Sequence, residues 1–279
     1  MIYPNIFAST PGFRKKTPVS CRHLKRLWGL RSEVPRRLII TIDGPAGAGK
    51  SSVSKRLAQW LEYLYLDSGA FYRAIALVAG NQGGNLDDAG WLESFLASFE
   101  LEVASGPEGL RLWNDGQEIT QTIRTPRISQ DASRVATLRP VRQWVAAYLR
   151  RCAKNGGIVT EGRDMGSVVF PEAEVKIYLD ADLGVRAQRR RQELQGRGVD
   201  QPAEQVQADL ADRDHRDRAR QEGPLLIPPG AQVIDNTNLS LEQVVHACQE
   251  LIRPKLEQST CQAGPDCDKL FTPEKHPLG

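Results

Sequence analysis

Between residues 37 and 253, short continuous apolar runs alternate with longer stretches whose apolar positions recur at helical spacing. RLIITID (37–43) predicts a buried strand, followed by the glycine-rich GPAGAGK and a helix through about Trp60. YLYLDS (63–68) predicts a second strand and a helix through Leu77. GGIVTEG (156–162), VKIYLDA (175–181) and AQVIDN (231–236) supply three more strands. Buried parallel strands carry Val, Ile and Leu on both faces, and strand–helix alternation implies a parallel sheet with right-handed crossovers. One stretch breaks the alternation. FELEV (99–103) and LRLWNDGQEI (110–119) predict antiparallel strands, with Asn114-Asp115-Gly116 as the turn. Residues 81–130 therefore read as an insertion on the main sheet, and one long helix is predicted from about Ser129 to Ala153.

The two ends differ from this middle. Residues 1–37 hold nine Lys/Arg and a single acid, Glu33. Such a segment fits an organelle transit peptide, a disordered extension or an over-long gene start, with the plainer readings favoured. The stretch from about Pro254 lacks periodicity and reads as a flexible tail, leaving a working domain over residues 38–253. The formal net charge of +3 is close to balance and argues against a general nucleic-acid or membrane-surface binder. No apolar run approaches the roughly 20 residues of a membrane-spanning helix. Five cysteines, an odd set without metal-ligand spacing, point to a reducing compartment, so a soluble cytoplasmic protein is expected. Cys261 and Cys267 form the one pair considered for a bridge.

The strongest chemical signal follows the first strand. Gly44, Pro45, Ala46, Gly47, Ala48, Gly49, Lys50 and Ser51 match GxxxxGK[ST], between an apolar strand and a helical pattern that takes in Ser52. Glycines at 44, 47 and 49 let backbone N–H groups turn inward around phosphate oxygens, at a helix N-terminus that favours anions. Lys50 is placed to reach the β- and γ-phosphates of ATP, and the Ser51 hydroxyl to ligate Mg2+. A guanine-reading NKxD string and an apolar run ending in Asp-Glu are both missing, which leaves a small-molecule kinase rather than a GTPase or motor ATPase.

Further polar residues fall just after the predicted strands: Asp67 and Ser68, Glu161 to Asp164, and Asp180 to Asp182. Parallel sheets bind ligands beyond the carboxyl ends of their strands, so one cleft would gather the loop, Ser68, Arg73, Arg163 and Asp164. IDGPAGAGKSS (42–52), YLDSGAFYRA (65–74), IRTPRISQDASRVA (123–136), EGRDMGSVVFPEAEVKIYLDA (161–181) and DRDHRDRAR (212–220) occur in the order and at the spacing of bacterial cytidylate kinases. The chain resembles that family from about Leu38 to Arg253. The resemblance implies a phosphate-loop NTPase-type parallel five-stranded sheet flanked by helices. To this it adds a mixed α/β monophosphate-binding insertion and a small helical lid over about 183–200.

Carried over residue by residue, the resemblance implies that Ser68, Arg142 and Asp164 face cytosine. It implies that Arg73, Arg163 and Arg213 clamp the acceptor phosphate. Asp217 would hold a sugar hydroxyl with Arg220 nearby, and Ser133 would stand by the sugar or base. Independently of the family, Arg213, Asp217 and Arg220 share a helical face. An acid that accepts and an arginine that donates also suit the cytosine edge, where uracil would meet the wrong partner. Arg186, Arg189 and Arg190 share a face too, and the resemblance puts Arg186 and Arg190 in the lid over the ATP phosphates. The partners implied are ATP and CMP or dCMP, the cofactor Mg2+, and the state a monomer. The rival readings are a kinase of this fold with another acceptor (UMP, AMP or shikimate), a nucleotide sensor and an RNA-binding arginine stripe. The stripe lacks the interleaved aromatics such a surface uses.

Overall fold

The computed structural model describes residues 37–106 and 109–261. The basic N-terminal segment, Cys21 and Cys267 lie outside the described residues. Five parallel strands form the main sheet: β1 (Ile39–Asp43), β2 (Leu64–Asp67), β6 (Ile158–Gly162), β7 (Val175–Asp180) and β8 (Gln232–Asp235). Their order is β2-β6-β1-β7-β8. Each lies within its predicted run; continuous apolar sequence is what the strands covered on both faces require, β1, β6 and β7 above all, while the edge strand β8 is largely exposed. The register sets their carboxyl ends side by side: Asp67 pairs with Glu161, and Asp43 with Gly162 and Tyr178.

Helices α1 (Lys50–Leu61), α2 (Ser68–Asn81), α5 (Arg139–Cys152) and α8 (Leu241–Cys261) flank this sheet. Between α2 and α5 lie α3 (Ala89–Ser98), a three-stranded antiparallel sheet of β3 (Glu102–Gly106), β4 (Gly109–Asn114) and β5 (Gln117–Glu118), a 3-10 turn (Thr122–Arg124) and α4 (Pro126–Val135). The predicted turn is present, with Asp115 and Gly116 both at positive φ (50° and 76°), as a two-residue hairpin demands. The first strand of this sheet, β3, starts three residues later than predicted. Phe99 ends α3 instead and stacks between Phe95 and Trp144, and the run continues through Tyr148 to Phe71 at centroid spacings of 5.0–5.3 Å. Aromatic contacts at that range are favourable beyond their buried area, and they fasten α3 to α5 and α2.

Two further expectations are corrected. The single helix from Ser129 to Ala153 is two helices, α4 and α5, separated at Ala136–Leu138. Leu138 is extended, and Pro140 sits in the first turn of α5, where its missing N–H has no helical partner to lose. Nor does the chain loosen at Pro254. Helix α8 runs through that proline to Cys261, with Arg253 over the Trp60 ring of α1 and Leu256 packed on the core. Among the described residues no helix is long and apolar enough to cross a membrane.

A second, smaller apolar cluster stands apart from the main core. It joins α6 (Leu183–Gln195) to α7 (Ala203–Ala219) through Ala187, Leu194, Val206 and Leu210, and it includes Ala46 of the glycine-rich loop.

Candidate active site

The loop between β1 and α1 has the backbone that its glycines predict. Gly44, Gly47 and Gly49 stand at φ +146°, +77° and +83°. A side chain at 44 would strike the Leu179 carbonyl on β7, so close approach as well as φ requires glycine there. Lys50, the first residue of α1, is buried and donates from Nζ to the Pro45 carbonyl at 2.6 Å. Burial and the neighbouring Arg163 push its ammonium down to about 7. Asp43 at the tip of β1 accepts from the Met165 and Gly166 N–H groups at 2.8 Å, and burial pushes it up to about 6. Ala48 is buried, and its carbonyl accepts from Asn236 Nδ2 at 2.8 Å.

Lys50, Ala46, Gly47 and Ser51 line one end of a cleft, whereas Gly44, Pro45, Ala48, Gly49 and Ser52 do not. Ser51 lies beside the buried Glu161 carboxyl and the Tyr65 hydroxyl, which bond to each other. Among the described residues no cluster of three or more His, Cys, Asp or Glu could hold a metal unaided. The oxygen donors at Ser51 and Glu161 nevertheless suit a hard cation such as Mg2+, which takes few protein ligands and fills its shell with phosphate oxygens and water.

The opposite wall carries the acceptor-side residues. Asp67 caps α2, accepting from Ala70 N at 3.2 Å, and holds Arg73 Nη2 at 2.7 Å. Asp217 on α7 accepts from Arg163 Nε at 2.8 Å. Burial works to raise both carboxyls, but the facing arginines outweigh it and hold them low. Arg213 is different: its Nε is buried without a hydrogen-bond partner, and burial together with Arg163 lowers it to about 10. Ser68, Ser133, Arg190 and Arg220 also line the cleft. In all, eight cations (Lys50, Arg73, Arg124, Arg163, Arg190, Arg197, Arg213, Arg220) face four carboxylates (Asp67, Glu161, Glu193, Asp217). An excess of that sign in a partly dry cleft selects a polyanion.

Arg142 and Asp164 are joined in a buried ion pair that does not itself line the cleft. Arg220, which does, stands 3.7 Å from Asp164, and buried Tyr72 feels both charges, its hydroxyl pushed up to about 12 chiefly by burial. Gly223, at φ +58°, closes over the pair, since a Cβ there would run into the Arg142 guanidinium and the Asp164 carboxylate. A left-handed non-glycine residue costs about 1–3 kcal/mol before any clash. Gly223→Ala should therefore cost at least about 1–3 kcal/mol of stability, since the clash with the ion pair adds to the strain. Denaturant unfolding of the variant against wild type checks this, and an unchanged midpoint would refute it.

Arg186 is a correction. Its guanidinium is buried away from the cleft, donating to Ala181 O (2.9 Å) and Ala46 O (3.0 Å) and pairing with Asp214 (2.5 Å). Arg189 is likewise spent on Asn236, whereas Arg190 faces the cleft and pairs with Glu193. Glu161, Asp67, Asp214, Asn236 and Arg197 received no roles from the sequence. Asp214 had a visible signal, being an acid in register with the apolar positions Val206 and Leu210 of its helix.

A phosphate loop at the tip of a central parallel strand, facing an arginine-rich cleft with room for a second phosphate, defines a small-molecule kinase of the phosphate-loop class. The cytidylate kinase family model matches residues 40–254. A cytidylate kinase of Exiguobacterium sibiricum is 40% identical over 222 residues, 80% of this chain and 100% of that protein. A bifunctional pantoate ligase/cytidylate kinase of Synechococcus sp. (strain JA-2-3B'a(2-13)) is 46% identical over 228 residues, 81% of this chain but 42% of that protein. The chain thus spans less than half the length of that relative. A gluconokinase from Sinorhizobium meliloti 1021 superposes with a TM-score of 0.42 at 15% identity, covering 83% of this chain and 100% of that one. The chain belongs to the cytidylate kinase family.

Proposed function

We propose that the chain transfers the γ-phosphoryl group of ATP to CMP and dCMP, giving ADP and CDP or dCDP, as a cytoplasmic monomer that needs Mg2+. The observation that carries this reading is the surplus of positive charge lining the cleft between the loop and the α7 face, eight cations against four carboxylates, with the buried Nε of Arg213 lacking a hydrogen-bond partner. A buried N–H without a partner is costly unless a ligand supplies the acceptor, and an excess of positive charge favours an anionic one. A nucleotide sensor needs only the loop, and would gain nothing from Arg73, Arg163 and Arg213 opposite it.

In this reading Lys50 and the loop amides hold the donor phosphates, with Arg190 above them. Arg73, Arg163 and Arg213 hold the acceptor phosphate in line with the γ-phosphorus. The attacking CMP phosphate oxygen is already anionic at neutral pH, so no general base is required. Positioning and charge neutralisation do the catalysis. Ser51 would hold Mg2+, which would supply positive charge to offset that of the donor phosphates. Arg220 and Asp217 take the sugar, with Ser133 beside it, and Ser68, Arg142 and Asp164 read the base. Reaching that ion pair requires the wall formed by Tyr72 and Arg220 to give way.

The test is ADP formation from ATP and Mg2+ across CMP, dCMP, UMP, AMP, GMP and shikimate. Fast turnover is expected with CMP and dCMP alone. A lead by any other acceptor would discard the base-reading residues, and tight ATP binding without turnover would favour the sensor.

A further inference from the structure

The phosphate loop is held by the lid as well as by its own strand and helix. The hydrogen bonds of that contact run through Ala46. Its N–H donates to Asp214 Oδ1 at 3.2 Å, and its carbonyl accepts from Arg186 Nη1 at 3.0 Å. Its side chain packs among Ala187, Leu194, Val206 and Leu210. Arg186 and Asp214 close the arrangement with an ion pair of 2.5 Å, at 5% and 2% exposure. Gly47 lies flush on α6 as well, since a Cβ there would sit 3.0 Å from the Arg186 carbonyl oxygen.

A buried ion pair adds little stability over an apolar pair of the same volume, so stability alone does not account for an acid on the Val206–Leu210 stripe. Direction accounts for it: a carboxylate fixes the azimuth of α7 against one backbone amide of the loop. On the adjoining face of α7, one residue before Asp214 and three after, are Arg213 and Asp217, and Asp217 grips Arg163. We infer that Asp214 is a positioning residue that couples phosphate occupancy of the loop to the placement of the acceptor-side arginines. The interior is close-packed, so a displacement of Ala46 moves α7 rather than being absorbed between them. Binding of ATP and of the acceptor are then mutually dependent, in the same ratio from either side.

The inference rests on the reading of ATP and CMP as the two substrates. The test is calorimetric titration of CMP, with and without a non-hydrolysable ATP analogue and Mg2+, for wild type and Asp214→Asn. Asparagine keeps the shape, but both carboxylate oxygens of Asp214 accept hydrogen bonds and an amide has one such oxygen. With that oxygen drawn to Arg186, its NH2 faces the Ala46 N–H and the bond to the loop is lost. For wild type the analogue should change the CMP affinity by about fivefold or more, within the usual range of such couplings. For the variant the ratio should fall to near one, with CMP affinity in the absence of the analogue kept within about threefold.

A wild-type ratio of one overturns the inference. So does an unchanged ratio in the variant, including the case where both affinities fall together as from general loosening. Should Asp214→Asn fail to fold, R186Q/D214N, a neutral hydrogen-bonded pair, is read against the same outcomes. Failure of wild type to bind CMP at all would instead overturn the acceptor reading.

Discussion

Replacing Lys50 with Met should lower kcat by about 10²–10³-fold while leaving the fold intact. Preorganised charges aimed at a developing transition state are typically worth that much. Methionine keeps the length and apolar stem of the buried lysine, so the loss isolates the ammonium. Retention of more than about a tenth of wild-type turnover would dismiss the donor-site assignment.

The same residue has a second signature. In the ligand-free protein the ammonium is pushed down to about 7 by burial and by Arg163, and it rests on the Pro45 carbonyl. ATP phosphates favour the charged form and raise that value, so ATP binding near pH 8 should take up a proton at Lys50. Near pH 6 the amine is already charged and the uptake should vanish. The dependence of binding enthalpy on buffer ionisation enthalpy measures it, and the difference between wild type and Lys50→Met assigns it. An identical proton count for the two proteins at pH 8 would remove Lys50 from the donor phosphates.

How much of this was legible beforehand follows from what each kind of pattern encodes. Strands β1, β6 and β7 were readable because burial on both faces leaves unbroken apolar runs, whereas the edge strand β8 is largely exposed and was marked by its short apolar run between turn residues. Turn chemistry was equally plain at Asp115-Gly116, and so was the glycine loop. The break between α4 and α5 was not. Val135, Val141 and Val145 are all buried and keep an apolar rhythm across it, and Pro140 was the sole mark of a new helix. The continuation of α8 past Pro254 was hidden for the opposite reason: a local rule against proline yielded to packing on Trp60.

The cleft shows the same division. Residues tied to strand ends or to one helical face (Ser68, Arg73, Arg163, Arg213, Asp217, Arg220) are brought together by topology alone. Arg186 shares a face with Arg190 in sequence, but its direction is settled by Asp214, on another helix. Spacing within one element cannot carry that information.

The second large effect is expected at Asp164. The carboxylate and Arg142 are both buried and bonded to each other, with Gly223 sealing them. Burial raises the Asp164 carboxyl even against the pull of Arg142, so the pair is maintained against its own desolvation. Asp164→Ala should therefore strand a buried guanidinium and cost about 3–5 kcal/mol of stability, read by denaturant unfolding. Asp164→Asn is the sharper probe. Its amide oxygen can still accept from Arg142, while its NH2 now presents a donor to the base. The cytosine amino group then meets a donor, whereas O4 of uracil meets the partner it needs. The ratio of kcat/KM for CMP over UMP should fall by about a hundredfold or more, since discrimination built on paired polar groups can reach ~10⁴–10⁵. A well-folded Asp164→Asn enzyme with an unchanged CMP/UMP ratio would mean that the pair braces α5 against the segment that follows β6 and takes no part in reading the base.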